Sequence, residues 1–78
     1  MVKVTVFGTP NCPWCIKTKE WLKENDIKFK NVNVEEDEEA RKYIVNKTGQ
    51  TGVPQIEIDD EVIIGFDLDK LKAKLLKK

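Results

Sequence analysis

Histidine is absent from this 78-residue chain, cysteine occurs twice, and neither sign of charge is in excess, fourteen Lys and Arg balancing fourteen Asp and Glu. Each shortage excludes something. Without histidine, and with one cysteine pair, a single chain cannot complete a tetrahedral thiolate or imidazole set around zinc, so a metal would require a second copy. Without net charge there is no broad field to gather nucleic acid or an anionic membrane, which leaves a small molecule or a protein as the expected partner. No apolar stretch approaches the roughly 18 residues of a spanning helix. The segment Met1 to Phe7 alternates like a strand and lacks the apolar core and small-residue cleavage pattern of a secretory signal. The expectation is a cytoplasmic protein, in a reducing setting where paired cysteines are more often catalytic or metal-binding than structural. The length allows one domain, residues 1–78, near the size where stability is thin.

What is present is concentrated at Cys12-Pro13-Trp14-Cys15. The pair follows an apolar alternating run and opens a helical pattern. Two intervening residues let the sulfurs join in a small ring, and a helix starting at the first cysteine aims unpaired N–H groups at its sulfur, which favours the nucleophilic thiolate. A purely structural bridge closing so short a loop would remove little unfolded-state entropy. A cluster or zinc ion shared between two chains, each giving one Cys12-Cys15 pair, stays open as an alternative, as does a non-catalytic protein-binding module. The pattern favours a redox dithiol.

Along the chain, residues 2 to 7 read as a strand ended by Gly8-Thr9-Pro10, and Cys12 to Glu24 as a helix with Pro13 tolerated in its first turn. At 100° per residue Trp14, Cys15, Thr18, Trp21 and Leu22 share one arc with Cys12 at its border, making Cys15 the buried sulfur and Cys12 the accessible one. Thr9 and Asn11 are candidate caps of this helix, and Asn25 a left-handed residue ending it. Ile27 to Val34 alternate as a second strand, with a phase slip between Phe29 and Val32 that reads as a bend or bulge. The acidic run Glu35 to Glu39 marks the start of a helix carrying Ala40, Tyr43, Ile44 and Lys47 and stopping near Gly49. Gln55 to Ile58 and Glu61 to Ile64 form a hairpin turned at Asp59-Asp60, and a last helix opens at Asp67 with leucines at 68, 71, 75 and 76. The expected fold is α/β, with order βαβαββα around a mixed four-stranded sheet in two or three layers.

Three segments in this order resemble the glutaredoxin branch of the thioredoxin fold: Cys12-Pro13-Trp14-Cys15 is similar to its C-P-x-C site, Gly52-Val53-Pro54 to its T-V-P segment, and Gly65-Phe66-Asp67 to the glycine and aspartate before its last helix. The resemblance covers essentially the whole chain. It implies a monomeric thiol-disulfide oxidoreductase without a bound cofactor, in which Cys12 is the nucleophile and Cys15 the resolving thiol, and in which Val53-Pro54 is a cis peptide facing the sulfurs. It also implies substrate contacts from Thr9, Trp14, Val53, Pro54, Gly65, Phe66 and Asp67, with protein or glutathione-mixed disulfides as substrates. Lys19, two turns and about 10.5 Å along the helix backbone from Cys12, is a candidate support for the thiolate.

Two departures bear on the electron donor. Glutathione-dependent members often carry a lysine three residues before the first cysteine and a Gly-Gly pair before the last helix; here Thr9 and Ile64-Gly65 stand at those positions. Gly65-Phe66 instead resembles the small glutaredoxin-like donors recharged by thioredoxin reductase. Those departures favour that route, while Asp67 and the start of the last helix keep glutathione as a possible co-substrate.

Overall fold

The computed structural model describes residues 3–76. Val2, expected in the first strand, and the closing Lys77-Lys78 lie outside the described residues. The elements run β1 (Val4–Gly8), α1 (Pro13–Glu24), β2 (Lys30–Asn33), α2 (Glu38–Thr48), β3 (Gln55–Ile58), β4 (Glu61–Ile64) and α3 (Leu68–Leu75). One four-stranded sheet has the order β2-β1-β3-β4. β1 and β2 are parallel through the α1 crossover, whereas β1 pairs antiparallel with β3 and β3 with β4. No described helix is long and apolar enough to cross a membrane.

The arrangement has three layers because β1 carries apolar side chains on both faces. Val4 and Val6 join Leu22 of α1, Leu71 of α3, and Ile56, Ile58 and Ile63 in one buried cluster. Phe7, from the opposite phase, packs with Val34 and with Ile44 of α2. Leu22, Ile56 and Leu71 have no measurable exposure, and burial of each is worth about 1.5 to 3 kcal/mol.

The same two-faced burial explains the phase slip around β2. Ile27 and Phe29 pack on the α1 and α3 side, Val32 and Val34 on the α2 side. The β1–β2 register is one-for-one, Thr5 opposite Lys30 through Gly8 opposite Asn33. The expected bulge is therefore replaced by a change in which face receives the apolar side chain, and the strand is shorter than its alternation.

Helix ends follow local chemistry. α1 closes with the Ile27 N–H on Leu22 O at 2.9 Å and the Asp26 N–H on Lys23 O at 3.1 Å, a Schellman pair. The left-handed residue is Asp26, φ 56°, and not Asn25, whose side-chain amide donates to Trp21 O at 2.9 Å. Asp37 caps α2 by accepting from the Ala40 N–H at 3.0 Å, and left-handed Gly49 ends it. In α3 Leu71 is buried and Leu68 and Leu75 half-buried, but Leu76 lies past the last turn and is exposed, which narrows the expected leucine stripe.

On the α2 face, Tyr43 stacks on Phe7 with ring centroids 5.9 Å apart and donates its hydroxyl to Glu57. Lys47 pairs with the same carboxylate at 2.8 Å. Burial pushes the Glu57 carboxyl up, but the Lys47 and Tyr43 hydrogen bonds and the Lys47 charge outweigh it and leave the pKa below the ordinary 4.5.

Candidate functional site

Cys12 stands at the N-cap of α1, with extended backbone (φ −92°, ψ 113°). Its sulfur accepts the Cys15 N–H at 3.2 Å, the bond a serine or aspartate oxygen would make at such a position. The cap expected from Thr9 or Asn11 is thus supplied by the cysteine itself. Thr9 contributes its carbonyl, which accepts the Cys12 N–H at 3.4 Å. Pro13 in the first turn brings no N–H of its own.

Three residues on, the helix turns Cys15 inward. Cys12 is half-buried and Cys15 is 1% exposed, and both are free thiols. The seat for Cys15 is Gly8, the last residue of β1. A Cβ on Gly8 would fall 2.7 Å from the Cys15 sulfur. Alternation predicts an apolar side chain at position 8, in phase with Val4 and Val6; the glycine there marks a close approach. In the sequence Gly8 marks only the end of the strand, and nothing adjacent to it discloses this role.

Burial pushes the Cys15 thiol up to about 11, helped by the hydrogen bond with Cys12 and the Cys12 charge; a Thr9 backbone hydrogen bond and the Lys19 charge oppose the rise without cancelling it. Among these influences on Cys15 the Lys19 charge is the weakest. At neutral pH Cys15 is protonated and shielded, and Cys12 is the sulfur that an incoming molecule meets.

Facing Cys12 is the loop before β3. The Val53 carbonyl lies 4.0 Å from the Cys12 sulfur. The Val53-Pro54 bond is cis, as the resemblance implies, and Pro54 is buried. Pro54 O accepts the Gly65 N–H at 2.8 Å, joining this loop to the end of β4. Gly65 has φ 81°, a left-handed conformation that suits glycine. Next to it the Phe66 ring lies 6.0 Å from that of Trp14. Asp67 caps α3 by accepting the Lys70 N–H at 3.2 Å.

Trp14 departs from the helical-arc expectation: it is 54% exposed. Cys15 already rests on the last residue of β1, so the sheet offers nothing to cover position 14. The indole leans on Phe66, with Lys17 Nζ 5.0 Å from its ring centroid. Trp14 and Phe66 thus form an aromatic flank beside the sulfurs. Gln55 was also missed. It is 1% exposed and hydrogen-bonded to the loop that carries Val53. The polar residue directly after Val53-Pro54, in a strand otherwise filled by isoleucine on one face, was the available signal.

Among the described residues no three His, Cys, Asp or Glu side chains gather as a metal site. The geometry suits sulfur exchange: an accessible thiol at a helix start, a second thiol buried within the same turn, and a backbone carbonyl opposite.

Comparisons with known proteins agree with this geometry. The Glutaredoxin family model matches residues 4–63. A glutaredoxin-like 8.6 kDa protein in a rubredoxin operon of Clostridium pasteurianum is 45% identical over 74 residues, spanning 91% of this chain and 99% of the relative. The glutaredoxin-like protein NrdH of Lactococcus lactis subsp. cremoris is 36% identical over 72 residues, spanning 92% and 97%. Among solved structures, a glutaredoxin from Archaeoglobus fulgidus superposes with a TM-score of 0.85 at 26% identity, covering 100% of this chain and 89% of that one.

Proposed function

Because the chain belongs to the glutaredoxin family, with the thioredoxin-like fold, we propose that it is a thiol-disulfide oxidoreductase working through Cys12 and Cys15. The observation that carries this reading is the unlike placement of the two sulfurs, Cys12 reachable at the α1 start and Cys15 sealed against Gly8. The Cys12 thiolate bonds to one sulfur of a substrate disulfide and displaces the other, which leaves as thiolate and takes a proton. Cys15, giving up its proton, then bonds to the Cys12 sulfur and displaces the first substrate sulfur. The substrate ends as two thiols and the protein as one Cys12–Cys15 disulfide.

The remaining residues of the site have supporting roles in this proposal. Val53, at the mouth of the loop, offers its peptide groups to an extended substrate laid beside it as an added strand. Trp14 and Phe66 flank that strand, with Pro54 and Gly65 setting the floor between them. Electrons return from thioredoxin reductase or from glutathione. Thr9, uncharged where glutathione-dependent members often carry lysine, and Ile64 before Gly65 favour the reductase; Asp67 is the group to receive a glutathione amino end.

The test follows NADPH oxidation during reduction of a protein disulfide, with either thioredoxin reductase or glutathione plus glutathione reductase as donor. Cys12→Ser abolishes turnover with both donors, and full activity in that variant would sink the assignment. Cys15→Ser accumulates a mixed disulfide with protein substrates, visible as an added mass on the intact protein. With a glutathione adduct as substrate, Cys12 alone suffices and Cys15→Ser stays active.

A further inference from the structure

Gln55 opens β3 opposite Phe7 of β1, so its side chain lies on the α2 face of the sheet. A buried carboxamide costs free energy unless its polar atoms are partnered, and this one is engaged at both ends. Nε2 donates to Gln50 O at 3.0 Å and to Gly52 O at 2.9 Å, while Oε1 meets the Thr48 hydroxyl at 2.9 Å. Two carbonyl oxygens can be met only by the amino end, which fixes the amide orientation chemically. Thr48 Oγ1, in the last turn of α2, accepts the Gln50 N–H at 3.2 Å and shares its one proton between Gln55 Oε1 and Ile44 O, each at 2.9 Å.

These two side chains supply hydrogen bonds to a segment whose other anchor is the Val53 side chain, packed against the cluster of Phe7, Val34 and Ile44. Among the described residues, 50–53 make no backbone–backbone hydrogen bond. The segment ends at Val53, whose carbonyl faces the Cys12 sulfur. The Gln55 amide clamps the carbonyls on either side of Thr51, and the next carbonyl, that of Val53, faces the site.

We propose that Gln55 is a positioning residue, anchored on α2 through Thr48, that sets the Val53 peptide groups against Cys12 and so registers an extended peptide disulfide for attack. This rests on the disulfide-exchange reading of the cysteine pair. Gln55 does not touch the substrate; it acts through the loop. A substrate that has a peptide backbone therefore depends on it, and one without a backbone does not.

The experiment measures oxidation of the reduced protein by two probes, a cystine-bridged peptide with several residues on each side of the bridge, and hydroxyethyl disulfide, which has no peptide groups. In Gln55→Leu, which fills similar space without donors, the second-order rate with the peptide falls about ten-fold, the worth of one or two hydrogen bonds. The rate with hydroxyethyl disulfide stays within about two-fold. Thr48→Val shifts the peptide rate in the same direction, and Thr48→Ser, which keeps the hydroxyl, retains it; this pair carries the comparison should Gln55→Leu fail to fold. A folded variant that loses both rates equally, or neither, overturns the proposal. Backbone ¹⁵N order parameters at Gly52 and Val53 supply a readout independent of any reaction: they drop from about 0.85 toward 0.6 in Gln55→Leu, or in Thr48→Val should Gln55→Leu not fold, and unchanged values overturn the anchoring. A parent protein that reacts with neither disulfide would instead remove the exchange reading itself.

Discussion

At Gly8 one hydrogen atom in place of a methyl decides where Cys15 can sit. In Gly8→Ala the new Cβ would meet the Cys15 sulfur at 2.7 Å and its Cβ at 3.2 Å. Neither neighbour is the loose end of a long side chain. The expected cost is about 1 to 3 kcal/mol, measured by denaturant unfolding of the reduced protein. Cys15→Ala removes the nearer contact, so the double variant recovers part of the loss, and strict additivity would contradict the packing account. Residue identity carried the chemistry of this site into the sequence clearly: two cysteines, two residues apart, at a strand-to-helix junction. Of the groups around those sulfurs, Val53-Pro54 was legible only through the family resemblance. Gly8, which seats Cys15, and Gln55, which ties down the Val53 loop, were not, because no local spacing rule connects either to what it fits.

The helices show how one side chain can serve an element and a site together. Asp67 caps α3 and is also the residue proposed to receive a glutathione amino group, so an alanine there would confound two losses. Asp67→Asn keeps an oxygen for the Lys70 N–H and removes the charge. Stability should stay within about 0.5 kcal/mol in Asp67→Asn and fall by about 1 kcal/mol in Asp67→Ala, read from thermal or denaturant unfolding. If glutathione is the donor, both variants raise its KM; if thioredoxin reductase is, only the stability differs. Element boundaries were readable where charge or a turn residue announced them, as at the acidic run Glu35 to Glu39, at Gly49 and at the Asp59-Asp60 turn. They were misread where a side chain had a second use. Asn25 looked like a left-handed residue but spends its amide on Trp21 O, leaving Asp26 to make the turn. Around β2, alternation continued past the strand because Ile27 and Phe29 still had a core to enter.

For the whole molecule, half-buried Glu57 and buried Cys15 bound the pH range of greatest stability from opposite ends. Glu57 has a depressed pKa, so its contribution is present above about 4.5 and is lost as pH falls through the folded value. Cys15 is raised from an ordinary 9.0 to about 11. The folded reduced protein therefore holds a proton that the unfolded chain releases, and stability present below pH 9 is lost as pH rises toward 11. Unfolding free energies across pH should show an acid slope that Glu57→Gln flattens and an alkaline slope that Cys15→Ala flattens. An unchanged profile in either variant would refute its arm. The topology was legible at this scale as a strand–helix alternation followed by a hairpin, which implied the parallel and antiparallel pairs. Strand order was not, because β3 reaches its place beside β1 through contacts that only the assembled core determines.

The sheet also divides the labour at its reactive end. The thiols hang from one side, where Gly8 seats Cys15 beneath α1, and the Val53 carbonyl hangs from the other, where Gln55 ties its loop to α2. A small shear between the two helical layers would leave each fastening intact while spoiling the alignment between nucleophile and docking edge. Warming, or a trimmed side chain deep in either layer such as Ile44→Val, should therefore blunt reactions with long, well-aligned substrates before it slows those with small ones. Selectivity in this protein would fade ahead of reactivity.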